Sequence, residues 1–119
     1  MTPERFEQLA LSLPAAVLEI KWGSDRTYCI GGKIFAMAGS ADGAGMGPCL
    51  KASDLAFEML VDQGAARPAP YLARAKWVQL IRWDSLPDED LAAYLRQSHA
   101  LVAAKLTRKA RITLGLAGS

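Results

Sequence analysis

The sequence predicts a small α+β domain, and three features of it carry that reading. Apolar residues recur at helical spacing near the start, in the middle and toward the end of the chain. Between those stretches lie short runs rich in β-branched and aromatic residues. A Gly-Gly pair and a Pro-Ala-Pro cluster punctuate the runs, so the order reads helix, hairpin, helix, hairpin, helix.

The first helix begins at Thr2, which can cap free backbone donors, followed by Pro3 and Glu4, which suit a first turn. It is expected to run to about Leu13, with Phe6, Leu9, Ala10 and Leu13 facing a core and Pro14 ending it. RTYCI and KIFAMA then flank Gly31-Gly32, the signature of a tight antiparallel hairpin. The glycine-rich segment from Gly39 to Pro48 reads as a hairpin tip, because a proline and a strand follow it in place of the helix start that a phosphate cradle needs. Cys49 to Lys51 is a third strand.

Ser53 caps a second helix, Asp54 to about Asp62, in which Leu55, Met59 and Leu60 offer a buried side and Gly64 is the stop. Pro68-Ala69-Pro70 opens the segment YLARAKWVQLIRW, Tyr71 to Trp83. At strand period, Val78 and Leu80 fall on one side, and Trp77, Gln79, Ile81 and Trp83 on the other, so at least one tryptophan must be covered. The longest helix, Pro87 to about Lys105, carries an inner stripe of Leu91, Leu95, Ser98, Val102 and Leu106. The basic, then apolar, remainder TRKARITLGLAGS is expected to fray.

At 119 residues, 51% of them hydrophobic and 22% charged, the chain fits a single domain, 1–119, that needs neither disulfide nor structural metal. No apolar run approaches the ~20 residues that span a bilayer. The start, MTPERFEQLA, carries two glutamates and no basic-then-apolar leader, so the expected compartment is the cytoplasm. Cys29 and Cys49 lack any CxxC spacing and there is one histidine, which predicts reduced thiols and no bound metal.

Catalytic signals are thin. His99 follows Leu95 by one helical turn and reads as a packing residue; no serine lies in GxSxG; Cys29 sits within a strand with no helix start or basic pair to lower its pKa. Glu19, Asp25 and Asp42 are dispersed. The expectation is a protein without catalytic residues or cofactor. Charge, by contrast, is lopsided. Residues 1–62 hold five basic and eight acidic groups, and residues 63–119 hold nine basic and four acidic, giving −3 and +5. Such a basic half points to an anionic partner or to an ordinary solvated surface.

The segments LSLPAAVLEIKWG, IGGKIFAMAG, CLKAS, APYLARAKWVQL and LPDEDLAAYLRQSHALVAAKL, in that order, resemble the MmcQ/YjbR family of small bacterial proteins. Their most specific parts are Gly32 to Ala36, Leu50-Lys51, Pro70-Tyr71 with Lys76-Trp77-Val78, and Ser98 to Val102. The chain departs from the pattern at His99, where the family tends to have an aromatic such as tyrosine. The resemblance implies a CyaY-like (frataxin-like) sandwich: an antiparallel sheet of about five strands covered on one side by the N- and C-terminal helices. Frataxin iron handling does not transfer, since the first helix offers only Glu4 and Glu7, offset by Arg5.

The resemblance also implies binding of double-stranded DNA through a double-wing arrangement. The cations placed to touch phosphates are Arg26 and Lys33 on the first hairpin, Arg67, Arg74, Lys76 and Arg82 around the second, and Lys51. A monomer is expected. The alternative is a module that binds a small molecule or protein on the exposed sheet face, with Trp77, Trp83 or Tyr28 lining a shallow groove.

Overall fold

A computed structural model of the chain describes residues 1–21, 25–38, 46–69 and 75–116. Helix α1, Pro3–Ser12, starts where Thr2 Oγ1 accepts the Arg5 N–H at 3.1 Å, and it buries Phe6 and Ala10. Strand β1, Val17–Lys21, follows a turn in which Ala15 takes a left-handed φ of 59°. Strands β2, Asp25–Ile30, and β3, Lys33–Ala38, form the hairpin read from the Gly-Gly pair; Gly31 (φ 57°) and Gly32 (φ 81°) supply the two positive φ values of a tight hairpin turn. Next come β4, Cys49–Lys51, helix α2, Asp54–Asp62, and strands β5, Ala66–Pro68, and β6, Trp77–Leu80. Helices α3, Asp88–Ala103, and α4, Arg108–Thr113, complete the described chain.

All six strands join one antiparallel sheet in the order β1-β2-β3-β4-β6-β5. Two of them were not foreseen. VLEIK does not alternate cleanly between apolar and polar residues, and β5 ends in Pro68, which an edge strand tolerates because one side of its backbone has no ladder to feed. Helices α1 and α3 lie on one face: Glu7 of α1 reaches Arg26 and Tyr28 of β2, and Ser98 and His99 of α3 reach Phe35 of β3. Phe6, Tyr28, Ile30, Phe35, Leu50, Leu60, Leu80, Leu91 and Leu95 fill the space between as the buried core.

A β-bulge fixes how α3 seats. Tyr28 pairs with Ala36 and Cys29 with Ile34, so Phe35 is an extra residue in β3. Its ring meets the His99 ring edge-on at 5.1 Å, and its carbonyl accepts the Ser98 hydroxyl at 2.6 Å. The same hydroxyl accepts the Lys51 N–H at 2.8 Å. One buried serine thus satisfies a donor and an acceptor on two neighbouring strands beside an interrupted ladder.

The structure corrects two expectations. On α2 the buried residues are Ala56 and Leu60, while Leu55 and Met59 are 67% and 43% exposed; the helix packs through a narrow edge, and its small alanine lets it approach β5. The segment after Leu106 is a capped helix and does not fray as far as residue 116. Thr107 Oγ1 accepts the Ala110 N–H at 3.1 Å, and Leu106 and Leu114 pack so close to Gly31 that a Cβ there would lie 2.9 Å from Leu106. The hairpin tip at 39–45 and the segment 70–74 lie outside the described residues, as do Arg74 and Tyr71 within it.

Candidate nucleic-acid interface

Strand direction decides which of the predicted cations meet. β2 and β3 turn at Gly31-Gly32, so Lys33 sits at that end of the sheet. Leu50 pairs with Ala36 and also with Val78, and Lys51 pairs with Trp77; Lys51 and Lys76 therefore come to the same end. Lysines separated widely in sequence are gathered by antiparallel register alone.

Each of the three is held differently. Lys33 is exposed beside the turn. Lys51 is half-buried, and its ammonium donates to the Ala75 carbonyl at 2.6 Å. Burial, and after it the neighbouring Lys105 charge, hold the Lys51 ammonium below the usual lysine range, while Asp54 pulls the other way. Lys76 takes a left-handed φ of 62° and sets its ammonium 5.0 Å above the Phe57 ring, a cation–π contact. Lys105 was missed by the sequence reading. So were Arg108 and Lys109 of α4, with Lys109 lining a shallow depression beside Gly31. The signal was present in TRKAR, but it counts only once that segment is a docked helix.

The remaining predicted residues lie elsewhere. Arg67, on edge strand β5, is exposed and forks onto Gln79 Oε1 through Nε at 3.2 Å and Nη2 at 2.8 Å. Arg26 belongs to the far end of the sheet, where its Nε and Nη2 lie 2.7 and 2.6 Å from Glu7 Oε1. Tyr28 donates to that same oxygen at 3.1 Å. Burial, then the Glu7 charge, push the Tyr28 phenol up to about 12, and the Glu7 hydrogen bond raises Arg26 further. Arg82 is exposed, with Nε 3.1 Å from Asp84. The far end also holds the acidic first turn of α3, Asp88 to Asp90, with Asp88 3.1 Å from the Met1 amino group.

The aromatic groove anticipated on the open sheet face does not form as expected. Trp83 packs edge-on against Phe6 at 5.4 Å, and Tyr28 against Phe6 at 5.8 Å, so both belong to the helix-covered core. The reason is helical: α1 presents Phe6 and Glu7 to β2 and to the turn after β6. Trp77 points away from that core, as strand alternation with Val78 requires, and is 8% exposed. Thr27 and Cys29 on the same open side are fully buried.

Comparison with known proteins agrees with this architecture. The crystal structure of the Deinococcus radiodurans protein DR2400, a DUF419-domain protein, superposes with a TM-score of 0.83 at 21% identity, covering 96% of this chain and 88% of that one. No curated protein matches the sequence. The family model for YjbR matches residues 11–101, from the end of α1 through most of α3 and including the Lys33, Lys51 and Lys76 positions. The chain therefore belongs to the YjbR family.

Proposed function

We propose that this protein is a non-enzymatic nucleic-acid-binding protein that grips the phosphate backbone of double-stranded DNA with the lysine end of its sheet. Lys33, Lys51 and Lys76 are the central contacts, and Lys105, Arg108 and Lys109 extend them. The observation that supports the reading most directly is the crowding of like charge there. Lys51 keeps its ammonium half-buried with Lys105 close enough to depress its pKa. Burial is the larger cause of that depression, and a bound phosphate would offset the lesser one, the Lys105 repulsion. The left-handed Lys76 adds to the case, since a non-glycine residue held at φ 62° persists only where its surroundings enforce it. The DNA-binding description attached to the family points the same way. Among the described residues the cations at this end lie on strands, on turns and on the six-residue α4, so backbone contact without sequence readout fits them best.

The test is a fluorescence-anisotropy titration of a labelled duplex at several salt concentrations. Three to four phosphate contacts predict a slope of log K against log salt of about −3. Lys33→Ala combined with Lys76→Ala should weaken binding to all sequences alike and flatten that slope by about two. A double variant that binds like the parent would sink the proposal, as would identical affinity for heparin and duplex.

A further inference from the structure

Helix α2 turns an acidic and apolar side outward. Asp54, Leu55, Glu58, Met59 and Asp62 are all exposed and follow the helical repeat, so a stripe of carboxylates runs beside two apolar side chains. Single exposed hydrophobics are ordinary, but Leu55 and Met59 adjoin on successive turns and nothing in the fold uses them. Asp54 already acts on Lys51 of its own chain, which leaves Glu58 and Asp62 to face a partner.

Helix α4 shows the opposite charge in the same form. Arg108 and Lys109 are exposed on its first turn, and Ile112, one turn on and 63% exposed, projects between them. Among the described residues the side chains of Glu58, Asp62, Arg108 and Lys109 make no hydrogen bond or ion pair. The two helices also flank α3 on opposite sides. α2 packs on β5 and β6 at one edge of the sheet and α3 on β3 and β4, while α4 lies toward the other edge, where its Arg111 shares a surface depression with Pro14, just before β1.

We propose that the helix layer is a self-association surface, on which α2 of one copy docks against α4 of a second: Leu55 and Met59 meet Ile112, and Glu58 and Asp62 meet Arg108 and Lys109. A two-fold axis running along α3, between two facing helix layers, carries each α2 onto the other copy's α4, so both contacts form in one closed pair. The outward side of α3 includes Ala93, Ala100 and Ala104, small enough to let the layers approach. Helices of nine and six residues bury little area, so the pair belongs to the weak, reversible class and forms at high protein concentration. The inference does not rest on duplex binding, and its test contains no nucleic acid.

Sedimentation equilibrium up to about 1 mM protein, a concentration that captures weak association, should show a monomer and dimer in exchange, weakened by salt. Leu55→Ser combined with Met59→Ser should weaken the dimer about tenfold or more without altering charge. Glu58→Lys with Asp62→Lys makes both surfaces basic, and Arg108→Glu with Lys109→Glu makes both acidic, so each of these variants alone should stay monomeric. Mixed in equal amounts they should pair again, because each α2 then meets an α4 of opposite charge. Arg5→Glu with Arg82→Glu has the net charge of the second variant but keeps α4 intact, and should not replace it in the mixture. Circular dichroism checks that every variant is folded. A parent that stays monomeric, reversals or serine substitutions that leave dimerisation unchanged, a mixture that does not pair, or a control that pairs as well would each overturn the proposal.

Discussion

Ser98 on the longest helix and Phe35 on the central strand β3 are 63 positions apart, yet the serine hydroxyl donates to the phenylalanine carbonyl at 2.6 Å. Because that hydroxyl also receives the Lys51 N–H, deleting it orphans two buried backbone groups at once. Ser98→Ala should therefore destabilise the protein by about 2–4 kcal/mol, well above a typical side-chain hydrogen bond. Urea denaturation measures this directly, and a loss under about 0.5 kcal/mol would mean that water or a backbone shift takes over the role.

Trp77 and Lys76 are neighbours with separable tasks. Trp77→Ala removes a large buried ring and should cost about 3–5 kcal/mol. Lys76→Ala should stay within about 0.5 kcal/mol of the parent but lose affinity for duplex DNA. Lys76→Gly loses the same charge and also the strain of φ 62°, so it should be about 1 kcal/mol more stable than Lys76→Ala. Equal stabilities of those two variants would show that the left-handed residue stores no strain.

Arg26 was expected among the phosphate contacts, and its ion pair with Glu7 gives it a different predicted behaviour. The pair is partly buried, with side chains 35% and 27% exposed, and it ties α1 to β2. After discounting for solvent screening, Arg26→Ala should cost about 1 kcal/mol and leave duplex affinity unchanged. A drop in affinity as large as that of Lys33→Ala would return Arg26 to the interface.

Alkaline pH should find Tyr28. In the unfolded chain its phenol ionises near 10, and in the folded protein it is pushed up to about 12, because burial and then the Glu7 charge oppose the phenolate. The folded state thus holds a proton that the unfolded state has released. Its contribution to stability is fully present below pH 10 and is lost as pH rises toward 12, an effect on the order of 1–2 kcal/mol. Tyr28→Phe should flatten the stability profile in that window. An unchanged profile would assign the alkaline loss to other groups.

The stripe of Leu91, Leu95, Ser98, Val102 and Leu106 was legible because a helix repeats its buried side every three to four residues, and all five are buried as read. Leu55 and Met59 followed the same rule and failed it, since α2 meets the sheet along an edge too narrow to cover them. Strand β5 was hidden by its proline, and α4 by a basic composition that hides the Leu106, Ala110 and Leu114 spacing. For the site, residue types were readable but company was not. Lys33, Lys51 and Lys76 meet through the registers of three strand pairs, and Arg26 is claimed by a carboxylate 19 positions upstream on a helix. Neither fact has a local signature.

The acidic first turn of α3 and the lysine end of the sheet stand at opposite poles of a molecule whose shortest dimension is 27 Å. At about 0.1 M salt the screening length is about 10 Å, so the negative pole does not reach across to cancel the positive one. At its own end the acidic turn is offset in part by the Met1 amino group, Arg26 and Arg82, so the separation of charge is partial. A charged rod in solution exerts a torque on such a body before any contact is made, rotating the positive pole inward and shortening the rotational search that precedes docking. Were duplex DNA the partner, orientation on approach would follow the placement of charge, even though the net formal charge is only +2.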